Sequence, residues 1–305
     1  MGLRAPVAEI MANQAGGLQL SRIVAGMWRM TEWDMAPQQR LAFIEQCLEL
    51  GVSSFDHADI YGGYGVEALF GEALALKPAL RERMQIVSKC GIKLLSPNRP
   101  EHTIQHYDTT AAHITASVEN SLRQLRTDYL DLLLIHRPDP LMDFDAMAAT
   151  FTRLRGEGKV RHFGVSNFSR HQFEALNRRI GLATNQVEFS PLHLAPMFDE
   201  TFDGLQDLGV APMIWSPLGG GRLFSGGDTA GARLRATIQQ VADEVQRPFA
   251  SVVFAWIMQL PCSPVPLTGS GRIAAIEEAV QATQFALSRQ QWFGILRAAR
   301  GHEVA

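Results

Sequence analysis

The chain has 305 residues, 46% of them hydrophobic and 19% charged, the balance of a compact globular protein. Its net charge of −3 excludes the broad basic footprint of a nucleic-acid binder, and no apolar run approaches the ~20 residues that a bilayer-spanning helix needs. No basic region followed by an apolar core opens the sequence, so no secretion signal is expected. The three scattered cysteines, Cys47, Cys90 and Cys262, suit a reducing compartment rather than a disulfide framework. A cytoplasmic protein with no membrane and no nucleic-acid partner is the expectation.

Read in chain order, short apolar runs alternate with amphipathic segments. RIVAG ends at Gly26 and VSSFD at Asp56. Between them, residues 37–51 carry Leu41, Ile44, Cys47 and Leu48 at helical spacing and stop at a glycine, which predicts a helix with one buried face. MQIVSK ends at Lys89, LDLLLIH at His136, VRHFGVS at Ser166, TNQVEFS at Ser190, APMIWS at Ser216 and SPVPLTGS at Ser270. These make eight predicted strands. A second helical pattern covers residues 115–128, and FASVVFAWIMQLP (residues 249–261) fits a buried helix. The last segment, residues 288–305, reads as a helix with Trp292, Ile295 and Leu296 on one face, plus a short tail. It could close a barrel floor or reach its mouth.

From Asp56 to Ser190 the successive strand ends lie 33, 47, 30 and 24 residues apart, and one strand with its crossover helix takes roughly 30. Eight such units predict an α/β fold, a (β/α)8 TIM barrel, as one domain over residues 1–305 with a short N-terminal extension. The competing architecture, an open doubly wound sheet, is disfavoured because VAGMWRMTEWD lacks the G-x-G-x-x-G turn. Long loops are expected after Cys90, after His136 and from Gly219 to Gly231, all behind the C-terminal strand ends where such barrels build their sites.

The stretch FDHADIYGGYG places Asp56, His57, Asp59 and Tyr61 just past a strand. Asp56, Lys89 and His136 end three successive strands, so a barrel would gather them, with Tyr61, in one mouth. A phenol is a poor acid at neutral pH, and a lysine beside it is expected to lower its pKa. Asp56 would hold that lysine charged, and His136 would hydrogen-bond a carbonyl oxygen. Such a site delivers a proton to an oxyanion. No side chain supplies hydride, so a nicotinamide cofactor is expected.

FDHADIYG, IVSKCG, LLLIHRPDP, GKVRHFGVSNF, NQVEFSPL and WSPLGGGRL resemble, in order and in register, the signatures of the aldo-keto reductase superfamily, in a bacterial oxidoreductase branch. The resemblance implies NAD(P)H-dependent reduction of a small aldehyde or ketone, with Tyr61 as general acid, Asp56 and Lys89 tuning it, and His136 orienting the substrate. It also implies a cofactor site made by Met27, Ser166, Asn167, Gln186, Trp215, Ser216, Leu218, Gly220, Ser270, Arg272 and Glu278. In it Trp215 would stack on the nicotinamide, and the Gly219–Gly221 run would let backbone approach the pyrophosphate. Ser270 and Arg272 would meet a 2′-phosphate, which favours NADPH (NADP+) over NADH. His57 stands where the family usually has threonine, Phe189 where it often has tyrosine, and Ala279 where it often has asparagine.

Plainer roles compete. Asp59 could serve only its turn, and His57 could be structural rather than part of a substrate pocket. Trp28 could be core or could line the mouth with His57. Among His102, His106 and His113, the first two would align on a helix, but NRPEH reads as a loop; no cysteine or clearly placed third ligand joins them, and no metal is expected. Cys90 is expected to pack rather than react. Two other functions stay open: a slow-turnover, redox-sensing nicotinamide-binding subunit of another protein, and a Schiff-base aldolase using Lys89.

Overall fold

The computed structural model of the protein describes residues 7–10, 17–225 and 229–305. Its centre is a closed ring of eight parallel strands. In chain order these are β1 (Val24–Gly26), β2 (Ser54–Asp56), β3 (Gln85–Cys90), β4 (Leu130–Ile135), β5 (Val160–Ser166), β6 (Asn185–Glu188), β7 (Met213–Trp215) and β8 (Val265–Thr268). Leu267 and Thr268 of β8 pair with Val24 and Ala25 of β1, which closes the ring and rules out the open sheet. All six residues of β4 are buried, as a strand packed on both faces requires. All eight predicted strands end within two residues of the expected positions, β1, β2 and β5 at the residue named. The chain still passes Lys89 to Cys90 in β3, while β4 stops at Ile135, so that His136 is the first residue beyond it.

Helices separate the strands. The first, α1 (Pro37–Glu49), buries Phe43, Ile44 and Cys47. Farther on, α2 (Val66–Ala75) and α3 (Ala111–Leu125) lie side by side. Thr110 caps α3 by accepting from the His113 amide, and this satisfies one of the free donors at the helix start. Asp143 and Ser169 cap the two following helices in the same way. The buried helix Phe249–Met258 lies where its greasy sequence predicts, with eight of its ten residues buried.

Two layers of core result. Val24, Val87, Leu132, Leu134, Met213, Val265 and Leu267 fill the barrel interior, and Leu18 and Leu20 join them. Those two leucines belong to the strand Leu18–Ser21, which pairs antiparallel with Val7–Ile10. The strand Leu18–Ser21, rather than the C-terminal segment, therefore plugs the barrel. The rest of the N-terminal extension, residues 1–6 and 11–16, lies outside the described residues. The C-terminal helix Arg289–Arg300 packs on the helix Thr229–Val245. Trp292 stacks on Trp256 at 5.2 Å, each indole N–H donating to the other's backbone carbonyl. This helix is part of the outer ring and lines neither floor nor mouth. Among the described residues no helix is long and apolar enough to cross a membrane.

Two of the three long loops contain structure of their own. Ile92–Lys93 and His106–Tyr107 form a small antiparallel pair after β3. The third predicted loop is shorter than expected, because a helix begins at Thr229. Residues 226–228 of that loop lie outside the described residues.

Candidate active site

Backbone pairing continues past the end of β2 and fixes the polar stretch. The amide of His57 donates to Val87 O and that of Asp59 to Lys89 O. A tight turn then reverses the chain at Tyr61–Tyr64, where Gly62, Gly63 and Tyr64 have φ of 57°, 62° and 74°. Only glycine adopts that conformation without strain, and a Cβ on Gly62 would lie 2.5 Å from the Thr31 methyl carbon. The turn brings Tyr61 over the ends of β2 and β3. Lys89 Nζ donates to Asp56 Oδ2 at 2.6 Å, to His57 O at 2.8 Å and to the Tyr61 hydroxyl at 3.0 Å. Gln186 Nε2 donates to the other Asp56 oxygen at 2.8 Å. The His136 ring stands edge-on to Tyr61, centroids 5.9 Å apart. The four residues expected at one mouth are together.

Burial and charge set their protonation. Burial alone would discharge Lys89, but Asp56 and Tyr61 more than offset it and raise its pKa. The Tyr61 phenol goes up, chiefly through burial and also through Asp56, although Lys89 pulls it down. The expected acidification of Tyr61 is thus a correction: the lysine acts in the predicted direction, but lost hydration outweighs it. His136 is held well below its usual pKa by burial, then by the Lys89 and Arg137 cations. Its Nδ1 is occluded and unpartnered, which leaves Nε2 as the ring nitrogen available to a ligand.

A cavity of about 930 Å³ opens at this face. Asp56, Tyr61 and His136 line it, and so do Trp28, Ser166, Gln186, Trp215, Ser216, Leu218, Gly220, Ser270, Arg272 and Glu278. Lys89 lies behind Tyr61 with its side chain 0% exposed, touching the cavity only through its partners. Asn167 also stands behind the lining. It accepts from Trp215 Nε1 at 3.1 Å, donates to Ser166 Oγ at 2.7 Å and takes φ of 58°, a costly conformation for a non-glycine residue. Trp28 is 56% exposed, which resolves its two readings in favour of the mouth.

Two expected site residues do not belong to the cavity. Met27 is fully buried in the layer between barrel and helices; only its backbone takes part, donating to Asp56 O. His57 is fully buried as well, edge-on to Phe70 at 4.5 Å. Both its ring nitrogens lack partners, and burial and Lys89 push its pKa down to about 3, so it is a neutral packing residue. Phe189 stacks on Trp256 at 5.4 Å and is core. Ala279 is buried one residue beyond the cavity-lining Glu278.

Behind the site lie carboxyls whose environment was not legible in sequence. Asp59 accepts from Ser117 Oγ at 2.7 Å, tying the Tyr61 loop to α3, and burial raises its pKa to about 8. Glu67 accepts from Ser88 Oγ at 2.6 Å and burial raises it to about 7. Cys90 is buried, and burial, then Asp59, holds its thiol well above the usual range. It packs, as expected. His102 and His106 spend their Nδ1 atoms on Leu94 O and Ile104 O. Cavity residues absent from the sequence reading include Arg29, Arg137, Glu188 and Arg222. Glu188 carried a usable signal: it lies two residues past Gln186, and a strand repeats its faces every second residue.

The Aldo/keto reductase family model matches residues 22–299. The chain belongs to the aldo/keto reductase family. Among curated members, oxidoreductase YdhF of Escherichia coli is 53% identical, over 94% of this chain and 96% of its own length. A 6-dehydroglucose reductase of Agrobacterium fabrum is 43% identical, over 94% and 97% respectively. The structure of the glycerol dehydrogenase AKR11B4 from Gluconobacter oxydans superposes with a TM-score of 0.83 at 21% identity, covering 97% of each chain, a likeness of fold. This aldo/keto reductase thus has the barrel of its family, and its named relatives are oxidoreductases.

Proposed function

We propose that this chain acts as one catalytic unit that reduces an aldehyde or ketone with NADPH, Tyr61 being the proton donor. The observation that carries the reading is the chain of contacts Gln186–Asp56–Lys89–Tyr61 ending in a phenol at the cavity, beside a neutral imidazole.

The cavity residues suit a dinucleotide. Gly220 and Gly221 have positive φ, and a Cβ on either would meet nothing within 4 Å, so bare backbone faces the cavity where a pyrophosphate could approach. Trp215 presents an aromatic ring. Arg272 is exposed, forms no ion pair among the described residues, and precedes the helix Ile273–Gln281, whose free N–H groups favour an anion. Bound NADPH supplies a hydride to the carbonyl carbon.

The protein's own part is proton and charge management. His136 Nε2–H would hold the carbonyl oxygen, and Tyr61 would donate its proton to the developing alkoxide. That transfer stays downhill despite the raised phenol pKa, because an alkoxide is a far stronger base than a phenolate. The raised pKa keeps the proton on Tyr61 until it is needed. Lys89 then faces the new phenolate at hydrogen-bond distance, and Asp56 keeps Lys89 in place. Lys89 is a poor Schiff-base nucleophile, since it is fully enclosed and held charged.

A relative carries the name 6-dehydroglucose reductase, so sugar-derived aldehydes belong beside simple aliphatic and aromatic ones in the substrate panel. The test is loss of NADPH absorbance when purified protein meets that panel. Consumption dependent on the aldehyde supports the reading. Tight NADPH binding with no turnover of any carbonyl refutes it and leaves a sensing role.

A further inference from the structure

One pair of charged side chains in the cavity has no role in the reading above. Arg137 follows His136 and is half-buried at the cavity wall. A guanidinium has five N–H donors. Only Nη1 is engaged, with His136 O at 2.7 Å and more weakly with Ser166 Oγ at 3.4 Å. Nε and Nη2 have no hydrogen-bond partner among the described residues, and the guanidinium lies over the Trp215 ring at 5.7 Å. Glu188 lines the same cavity, and among the described residues its carboxylate takes part in no hydrogen bond or ion pair. Its charge reaches Arg137, as do Tyr61 and Tyr107, yet the two do not close into a salt bridge.

Charge balance selects the ligand. Lys89 is neutralised by Asp56 in contact. Arg137 is offset by Glu188 at longer range. The cavity's other cations are Arg29 over the Trp28 indole, Arg222 bonded to Gly219 O and Arg272 before the helix Ile273–Gln281, so the two pairs beside Tyr61 hold equal numbers of each sign and leave no lone charge there for an anion. The inner mouth has instead unspent donors on Arg137 and unspent acceptors on Glu188, with an exposed indole at the rim in Trp28. Unfilled polar groups in a half-buried site reward a ligand that satisfies them and penalise one that does not.

We infer that Arg137 and Glu188 form a hydroxyl-reading subsite that selects a neutral, polyhydroxylated carbonyl compound, Arg137 donating to its hydroxyl oxygens and Glu188 accepting from its hydroxyl protons. This inference rests on the reductase reading. It adds the residues that tell a hydroxylated substrate from a bare one.

The experiment compares three small aldehydes with the full chain and NADPH: D-glyceraldehyde, propanal, which lacks the two hydroxyls, and succinic semialdehyde, which carries a carboxylate. The wild type is expected to favour glyceraldehyde over propanal in kcat/KM. Arg137→Met and Glu188→Gln should each cut that ratio about 10-fold, the effect of one lost hydrogen bond of about 1.4 kcal/mol. Arg137→Lys, which keeps the charge and loses the fork, should fall between. NADPH affinity, read by fluorescence, should hold in all three variants and certify folding. A glyceraldehyde-to-propanal ratio near one, or a ratio unmoved by any variant, overturns the subsite. So does a preference for succinic semialdehyde that Arg137→Met abolishes, since that marks an anion site. Weakened NADPH binding in Arg137→Met would assign the arginine to the cofactor and overturn it as well. Failure to reduce any of the three would sink the reductase reading itself, and this subsite with it.

Discussion

Lys89 is a cation with no exposed side-chain surface, and its charge survives only because Asp56 and Tyr61 face it. Lys89→Met should therefore act twice. Turnover should fall by at least about 10²-fold as Tyr61 loses its partner. Stability should fall by about 3–5 kcal/mol, because Asp56 is left buried with only Gln186 to satisfy it; urea denaturation checks the second effect. At the other end of the cavity, Arg272→Ala should raise KM for NADPH by 10-fold or more and leave KM for NADH nearly unchanged. Equal effects would remove the 2′-phosphate role. The strand ends were enough to gather Asp56, Tyr61, Lys89 and His136 at one mouth, because each sits at or just past the end of a strand with a plain apolar pattern. Local sequence failed for His57, which lies in the same polar stretch but turns inward onto Phe70. It failed too for the sign of the Tyr61 shift, since desolvation depends on neighbours that the local sequence does not name.

At the scale of elements, the legible parts are those with a period. Eight apolar runs and the helices between them fixed the ring, because a strand buried on both faces has few other uses for so many branched residues. The loops were less legible. The pairing of Ile92–Lys93 with His106–Tyr107 joins segments too short to carry a pattern, and three of the four missed charged cavity residues, Arg29, Arg137 and Arg222, lie on loops. The Tyr61 turn is the element on which the site depends. Gly62→Ala imposes both a left-handed alanine and a clash with Thr31, so it should cost about 1–2 kcal/mol and lower turnover more than a structural loss of that size would explain. Melting temperature and kcat measured on the same sample separate the two. The C-terminal helix, by contrast, is a packing element. Trp292→Ala should cost about 2–3 kcal/mol, less than a fully buried tryptophan, while the folded fraction keeps its turnover.

For the whole molecule, buried titratable groups give stability a definite dependence on pH. Asp59 and Glu67 have folded pKa values raised to about 8 and about 7, against about 4 when unfolded. Between those values the folded state binds more protons, so these carboxyls withdraw stability as pH rises. His57 works the other way: with a folded pKa of about 3 against about 6.5 unfolded, it adds stability as pH rises toward 6.5. The opposing slopes end near pH 6.5, and from there to about pH 8 only the carboxyls act, so the melting temperature should fall across that window. Asp59→Asn should flatten the fall; an unchanged slope would contradict the raised pKa. In the proposed reaction a phenol at the mouth of the barrel gives its proton to the substrate. The most direct test is Tyr61→Phe, assayed for NADPH-dependent carbonyl reduction and, separately, for NADPH binding. The expected result is a turnover loss of about 10²–10⁴-fold with the binding constant retained; a variant that reduces carbonyls at the wild-type rate would contradict it.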